Sequence, residues 1–450
     1  MDVIVVGAGP VGLWLASELQ LAGVSTVVLE RAAERSPHTK ALGMHVRTLE
    51  VLAMRGALDE LLAAGIPVPA WHFGLLDRRV SFAGLDTPYP FMLAIPQLIT
   101  EELLEKRALA LGVRILREHE VTGISQDQDS VRVTVNSETV LTAAYVVGCD
   151  GAGSTVRKAA GIEFPGTAST AWGYLADVTL ADPPQGPYTR HTPQGALIVA
   201  PLPGGLHRVT GFDPTSADRT ELTLADVRAS AFAVAGTDFG MRDPVWLSRF
   251  GNAARLASAY RNGRVLLAGD AAHMHMPTGG LGLNVGIQDA MNLGWKLAAV
   301  AQNRSPATLL DTYHAERHAV GSWLVENAQA QTALLTNYTP ETQALRATLS
   351  TLIDRNPALE HDLAMQLSGL DVSYPANEGA HPLVGTRAPD LDGELFASMH
   401  DGRPLRVTTA DKPYTDGMHV VYMSHTRPEW TDVATAEIRP DGYIAEVATK

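Results

Sequence analysis

The sequence predicts an α/β protein in three parts. A parallel-sheet domain opens with a βαβ unit, a mostly antiparallel α+β domain interrupts it, and a small α/β segment closes the chain. Three observations predict this. Residues 2–6 (Asp-Val-Ile-Val-Val) are a short β-branched run followed by a glycine turn and a helical stretch. Apolar strand-like runs at Ala143–Gly148 and at 264–268 each lead into a turn that pairs Gly with Asp. Residues 165–261 between them change to short β-like runs broken by Pro and Gly.

The βαβ unit comes first. A helix is expected from about Pro10 to Ala22, with Val11, Leu15, Leu19 and Ala22 on one face, ended by Gly23. Ser25–Leu29 gives the next strand. Residues 44–65 read as helical, 70–96 as short antiparallel strands, and 98–111 as a helix. Strands are expected near 113–125 and 130–136 before the apolar run to Gly148. In the antiparallel region only 223–235 has helical character. A long helix is expected from about Leu283 through Trp295, and 307–355 is mainly helical. The Pro- and Gly-rich stretch 375–390 reads as a linker.

Composition narrows the function. The chain has 450 residues, enough for two to four domains, and 46% of them are apolar. A formal charge of −14 with no basic run argues against nucleic acid as a partner. The single cysteine, Cys149, excludes an intrachain disulfide or a cysteine-based metal cluster. With no signal-type N-terminus and no apolar stretch of membrane-spanning length, a cytoplasmic protein without a membrane partner is expected. A homo-oligomer stays open.

Three motifs carry the chemistry. Gly7-Ala8-Gly9-Pro10-Val11-Gly12 follows a strand and opens a helix. Gly7 permits the tight turn, Gly9 lets the backbone approach a pyrophosphate, and Gly12 lets the helix pack on the sheet. Glu30, 18 residues after Gly12, stands where a carboxylate accepts from ribose hydroxyls, which favours an unphosphorylated ribose. Cys149-Asp150-Gly151-Ala152-Gly153-Ser154, followed by Arg157, would alone be an acidic turn. Gly269-Asp270-Ala271-Ala272-His273, continuing through Pro277-Thr278-Gly279-Gly280-Leu281-Gly282-Leu283-Asn284, again puts an Asp at a strand end before a new helix. One nucleotide cofactor contacted at three strand ends of one sheet accounts for all three.

In this order and spacing, and above all in Gly269–Asn284 with Asp289-Ala290 and Asn292-Leu293-Gly294-Trp295-Lys296-Leu297, the chain resembles the flavoprotein aromatic hydroxylases of the para-hydroxybenzoate hydroxylase type. The resemblance is nearest to those that tailor aromatic polyketides and antibiotics. It implies an FAD-binding domain with a Rossmann-like βαβ unit over 1–70, 97–170 and 262–330, and a substrate-binding sheet over 71–96 and 171–261. A helical and linker region over 331–385 and a shortened thioredoxin-like segment over 386–450 complete it. Gly7, Gly9, Pro10, Gly12 and Glu30 would hold the ADP half, with Arg31 beside it. Lys40 belongs to a loop near the flavin, Gln97 lies near the pyrophosphate, and Asp150 and Arg157 match a motif tied to both FAD and nicotinamide. Asp270 would bind the ribityl chain, and Pro277, Gly280, Gly282, Leu283 and Asn284 would line the ring. Two departures stand out: Lys40 where Arg is usual, which loses bidentate geometry though not charge, and Leu281 where Gln is common, which removes a polar group near the ring.

The resemblance implies a monooxygenase. Reduced nicotinamide, NADPH before NADH, would reduce FAD, and oxygen would then give a flavin C4a-hydroperoxide that hydroxylates a polycyclic phenol or quinone in secondary metabolism. Baeyer–Villiger insertion and a non-catalytic flavoprotein that stabilises a pathway intermediate stay open as alternatives. His45, Arg47 and Pro277 are the candidates for a catalytic role, with loop-to-helix hydrogen bonding an equal reading of the first two. His273 and His275 read as packing or hydrogen-bonding residues, and no metal site is expected.

Overall fold

Five apolar strands pair in parallel in a sheet covered on both faces, by helices and by part of a three-stranded antiparallel sheet, which is why Val3–Val6 and Thr26–Leu29 are buried along their whole length. A computed structural model of the chain describes residues 1–214, 221–391, 393–408, 419–422 and 427–450. The central sheet runs Arg261–Asn262, Val265–Leu267, Tyr145–Gly148, Val3–Val6, Thr26–Leu29, Arg114–Leu116. All neighbours are parallel except the first pair. Helices Pro10–Leu21, Gln97–Ala110 and Gly282–Ala301 pack together on it. The three motif-bearing strands are therefore adjacent, and all three loops emerge at one edge.

The second sheet has five antiparallel strands in the order Tyr188–Thr192, Gly195–Pro201, His207–Phe212, Trp172–Leu180, Met241–Gly251. Alternation gives it two faces. Tyr174, Ala176, Val178, Leu197, Val199 and Val209 pack under helix Leu224–Ala235 through its Val227, Ala231 and Val234. The opposite residues face the central domain, where Ala196 and Phe212 cluster with Met276 and Phe250 packs against them.

The expected helix over 44–65 is two helices, Val46–Ala53 and Asp59–Ala64. Gly56 takes a left-handed φ of 59° between them. Strand Thr139–Ala143 was not expected; it completes a three-stranded antiparallel sheet with Val131–Val135 and Val121–Gln126. The short strands within 70–96 form separately from the five-stranded sheet. Ala70–His72 pairs with Arg79–Ser81, and Met92–Ala94 pairs with Gly43–Met44 and Ile66–Val68. Val80, Phe82 and Met92 pack on Ala364, Leu367 and Leu370, at or just past the end of helix Pro357–Ser368. Ala254–Leu256 pairs with Gly166–Thr167 and His273–Met274, and so lies on the central side.

The C-terminal segment carries a sheet in the order His419–Tyr422, Leu405–Thr408, Val433–Ile438, Ile444–Thr449, with the first pair parallel and the others antiparallel. Parts of this segment (392, 409–418, 423–426) and 215–220 of the expected substrate region lie outside the described residues. No described helix is long and apolar enough to cross a membrane.

Candidate functional site

The first loop separates its glycines by role. Gly7 has φ 105°, and a Cβ there would lie 2.5 Å from the Cys149 carbonyl oxygen. A Cβ on Gly12 would lie 2.0 Å from the Gly7 oxygen. Both positions are closed by packing. A Cβ on Gly9 would meet nothing within 4 Å, so the space above it is free for a ligand. No side chain caps the helix that begins at Pro10. Its first-turn N–H groups, which have no intrahelical acceptor, point at that space with the positive end of the dipole. Glu30 accepts from the Ala8 amide at 2.8 Å through Oε2 and from the Ala32 amide at 2.9 Å through Oε1. Each carboxylate oxygen keeps a lone pair for a ribose hydroxyl. Arg31 is exposed beside it.

The second loop is partly a helix cap. Asp150 Oδ2 accepts from the amides of Thr155 at 2.7 Å and Val156 at 3.1 Å. Its Oδ1 is buried without a partner, an acceptor that a ligand hydroxyl or amide would satisfy. Arg157 donates to the Ala271 carbonyl at 2.8 Å and to the Ala152 carbonyl at 3.0 Å, over the Phe164 ring at 3.7 Å. It therefore stitches the second loop to the third.

In the third loop Asp270 is exposed at the start of helix Gly282–Ala301; a Cβ on Gly282 would lie 3.9 Å from its Oδ1. The loop is anchored from below by Asp289, whose Oδ2 accepts from the Gly269 amide at 3.1 Å and meets His273 Nε2 at 2.7 Å. Arg317 Nε donates to Asp289 Oδ1 at 2.7 Å. Burial pushes the Asp289 carboxyl up, but Arg317 and His273 outweigh it and hold it below the usual carboxylate range.

On the ring side, the His45 amide donates to Asn284 Oδ1 at 2.7 Å, and Asn284 Nδ2 donates to the carbonyls of Gly280 at 2.8 Å and Gly43 at 3.3 Å. The Gly279 carbonyl accepts from His45 Nε2 at 2.8 Å and from Trp71 Nε1 at 3.0 Å. Because that partner is a carbonyl, the proton is assigned to Nε2. Burial lowers the His45 pKa to about 4 against the opposing pull of Gly279, so the ring is neutral. Pro277 is exposed at the mouth of this loop.

Two expectations are corrected. Arg47 does not face the site. It is fully buried, its Nη1 donates to Glu50 at 2.8 Å, and its Nη2 donates to the Asp441 carbonyl at 2.9 Å. Leu281 does not border the ring; it is buried with Val285, Val320 and Leu324 between two helices.

The structure adds residues that the sequence did not single out. Arg208 and Asp177 form a buried bidentate pair at 2.8 and 2.7 Å on the inner face of the five-stranded sheet. Arg208 also donates to the carbonyls of Thr39 at 2.6 Å and Lys40 at 2.8 Å. The backbone of Lys40 is thus the anchored part, and its side chain is exposed. Gln97 holds the other end of that loop: its Oε1 accepts from the Ala41 amide at 3.0 Å, and its own amide donates to the Ala41 carbonyl at 2.9 Å. The available signal was a pair of opposite charges at inward positions of otherwise apolar strands. Trp71 carried no comparable local pattern, and Asp289, which stood in the Asp289-Ala290 pair of the resemblance, had no assigned role until its hold on Gly269 was seen.

The model of a family described as FAD binding domain matches residues 1–328. An uncharacterized aromatic compound monooxygenase of Bacillus subtilis is 43% identical over 468 residues, covering 99% of this chain and 93% of that protein. A rifampicin monooxygenase of Streptomyces venezuelae is 42% identical over 468 residues, covering 98% and 94%. The solved structure of the anhydrotetracycline hydroxylase from Streptomyces rimosus matches with a TM-score of 0.90 at 41% identity, covering 100% of this chain and 95% of that one.

Proposed function

Since this chain belongs to the FAD binding domain family and is an FAD-dependent aromatic monooxygenase, we propose that it hydroxylates a polycyclic, polyketide-like phenol or quinone using electrons from a reduced nicotinamide, NADPH foremost. The observation that carries this reading is the placement of the inner sheet face over the third loop, where Phe212 and Phe250 pack with Met276 one residue before Pro277. A flat apolar substrate lying between that face and the loop is held beside the ring edge of the cofactor.

The residues present fit FAD. Open space above Gly9 and an uncapped helix end suit a pyrophosphate, Glu30 suits the ribose, and the unpartnered Asp150 Oδ1 suits a donor on the cofactor. Asp270, exposed at the head of the long helix, is placed for the ribityl hydroxyls, and Gly280–Asn284 for the ring. Bound FAD supplies two-electron reduction by nicotinamide and the activation of oxygen for transfer to an electron-rich ring. The chain's own part is to position and to exclude water. His45 and Trp71 fix the Gly279 carbonyl, Asn284 ties the 43–45 and 280–284 backbones together, and the half-buried Trp246, Ser248 and Phe250 cover the reacting space. His45 acts as a positioning group, since its Nε2 proton is committed to a carbonyl. The mixed C-terminal sheet supports reading 386–450 as a shortened thioredoxin-like module, whose contribution is structural because the chain has one cysteine.

The test is direct. The purified protein is expected to be yellow, to oxidise NADPH faster when a polycyclic phenol is added, and to release a product heavier by one oxygen atom with its rings intact. A colourless protein, or NADPH oxidation that no phenol stimulates, overturns the proposal. A ring-expanded lactone would move the reading to Baeyer–Villiger chemistry.

A further inference from the structure

The turn Arg439-Pro440-Asp441-Gly442-Tyr443 belongs to the C-terminal segment; it is braced internally by Arg439, which donates to Asp441 Oδ1 at 3.0 Å, and its other side-chain bonds reach the flavin-binding domain. The Asp441 carbonyl accepts from Arg47 Nη2 at 2.9 Å, and its Oδ2 accepts from Trp295 Nε1 at 3.2 Å and Asn292 Nδ2 at 3.3 Å. Arg439 donates to both oxygens of Glu316 at 2.8 Å, and Lys296 donates to Glu316 at 2.7 Å. The Pro440 carbonyl accepts from Arg55 Nη2 at 2.8 Å, while Arg55 holds Glu18 through its Nε and other contacts. The Arg47 guanidinium lies 4.9 Å from the centre of the Tyr443 ring. Asp441 and Arg47 are each only 1% exposed.

The groups grasped by this turn lead back to the ring loops. Arg47 sits two residues after His45, which holds Asn284 and Gly279. Asn292 lies eight residues along the same helix from Asn284, about 12 Å at the helical rise. The Tyr443 ring packs tilted against Tyr374, centres 4.1 Å apart, and the Tyr374 hydroxyl accepts from Arg317, the residue that fixes Asp289 under Gly269. One short turn therefore bridges the helix behind His45, the helix behind Asn284, and the clamp behind Gly269. Buried charges are a costly way to gain stability alone, but their directional bonds allow one docking register where an apolar seam allows several. We propose that the Arg439–Tyr443 turn is a latch for the cofactor site, with Asp441 as a positioning residue that sets the relative placement of the 43–45 and 279–284 loops through Arg47 and Asn292. The C-terminal module thereby contributes to FAD retention without touching FAD.

This rests on FAD as the bound cofactor and not on which substrate is oxidised. Full-length wild type, Asp441→Asn and Trp295→Phe are stripped of flavin, then titrated with FAD by fluorescence, and melted with and without it. The latch predicts a dissociation constant raised about tenfold or more in Asp441→Asn, with the holo melting temperature falling further than the apo value by linkage. Trp295→Phe, which removes one bond to Oδ2, shifts both readouts the same way by less. Equal losses of apo and holo melting temperature with unchanged FAD affinity would overturn it, since that is what a merely structural turn gives. If Asp441→Asn does not fold, Trp295→Phe decides by the same two readouts. Wild type that takes up no FAD overturns the cofactor assignment beneath the latch, and that outcome is visible before any substitution.

Discussion

At the ends of the central strands, polar atoms are tied down by directional hydrogen bonds that each have a backbone partner. Glu30 is held by two amides, Asp150 Oδ2 by two more, and the Gly279 carbonyl by two ring N–H donors. Across the cleft, the inner face of the five-stranded sheet presents half-buried side chains such as Leu175, Ile198, Thr210 and Phe250, placed by alternation along the strands. Directional bonds to a backbone tolerate displacements of tenths of an ångström, whereas an apolar wall tolerates a change of shape if volume is kept. On the proposed reading, the cofactor side is therefore rigidly specified and the substrate side adjustable by side-chain size. Relatives named for substrates as different as rifampicin and anhydrotetracycline share this fold at comparable identity.

The largest expected effect sharpens the contrast within the first loop itself. Gly12→Val places a branched side chain where even a Cβ lies 2.0 Å from the Gly7 oxygen. The turn cannot close around it, and a loss beyond about 4 kcal/mol is expected, read as no soluble yellow protein. Gly9→Ala is the counterpart. Gly9 has φ −77°, and its Cβ would meet nothing within 4 Å, so the chain folds with an unchanged apo melting temperature. The methyl group then occupies the pyrophosphate's approach, and FAD affinity drops. If both variants fold and bind alike, the division of roles between these glycines is wrong.

Asp289→Asn comes next. The substitution leaves Arg317, fully buried, without its carboxylate, and weakens the hold on Gly269 and His273. Breaking a buried pair from one side costs about 3–5 kcal/mol, to be read by denaturant unfolding of the holoprotein. On the sheet side, a change at Phe250, away from the buried Arg208–Asp177 pair, is expected to cost less.

How much of this was legible in the sequence follows from how local each feature is. The glycine turn, Glu30, Asp150 and the Gly269–Asn284 loop each sit in a strand–turn–helix read within a few dozen residues, and the three strands prove adjacent. Arg208 reaching the Thr39 carbonyl spans 169 positions, and Arg47 reaching Asp441 spans 394. Such partners come from the packing of whole elements, which periodicity does not encode. Arg47 was misplaced for that reason: two residues beyond His45 on a helix, it points away from the loop that His45 holds. Leu281 was misplaced because a residue within a ring-lining loop can still turn into the core.

Acid should loosen the loop that His45 holds, while the five-stranded sheet carries its own depressed histidine, His191, at about 4. The His45 pKa is lowered to about 4 by burial, and His72 nearby is lowered to about 3 by burial, Arg79 and His45. A depressed folded-state value means the native state favours the neutral ring. The stability this carries is complete above the unfolded value of about 6.5 and is lost as pH falls from there toward 4. For His45 alone the span is worth about 3 kcal/mol. FAD should be released as pH is lowered from 7 to 5, followed by flavin fluorescence. His45→Asn, which keeps an amide donor for Gly279 but has no such titration, should flatten that release. A release that His45→Asn leaves unchanged would remove His45 as the cause.

The smallest effect belongs to the substrate wall. Phe250 lies on the inner sheet face, half-buried, edge-on to Phe212 at 5.6 Å between ring centres. It makes no bond to any of the three loops. Phe250→Ala removes apolar surface from the space over Met276 and Pro277 while leaving Glu30, Asp150, Asp289 and His45 as they are. FAD affinity should therefore stay within error of wild type. The KM for a polycyclic phenol should rise by about tenfold, corresponding to roughly 1.4 kcal/mol of lost apolar contact, with kcat changed less because the wall binds substrate and transition state alike. A bulkier phenol should lose less than a small one, since it can refill the vacated volume. If Phe250→Ala lowered FAD affinity instead, the two sides of the cleft would be coupled through the sheet, and Arg208, which alone among the inner-face residues named here is bonded to the backbone of the 39–40 loop, would be the place to look for that coupling.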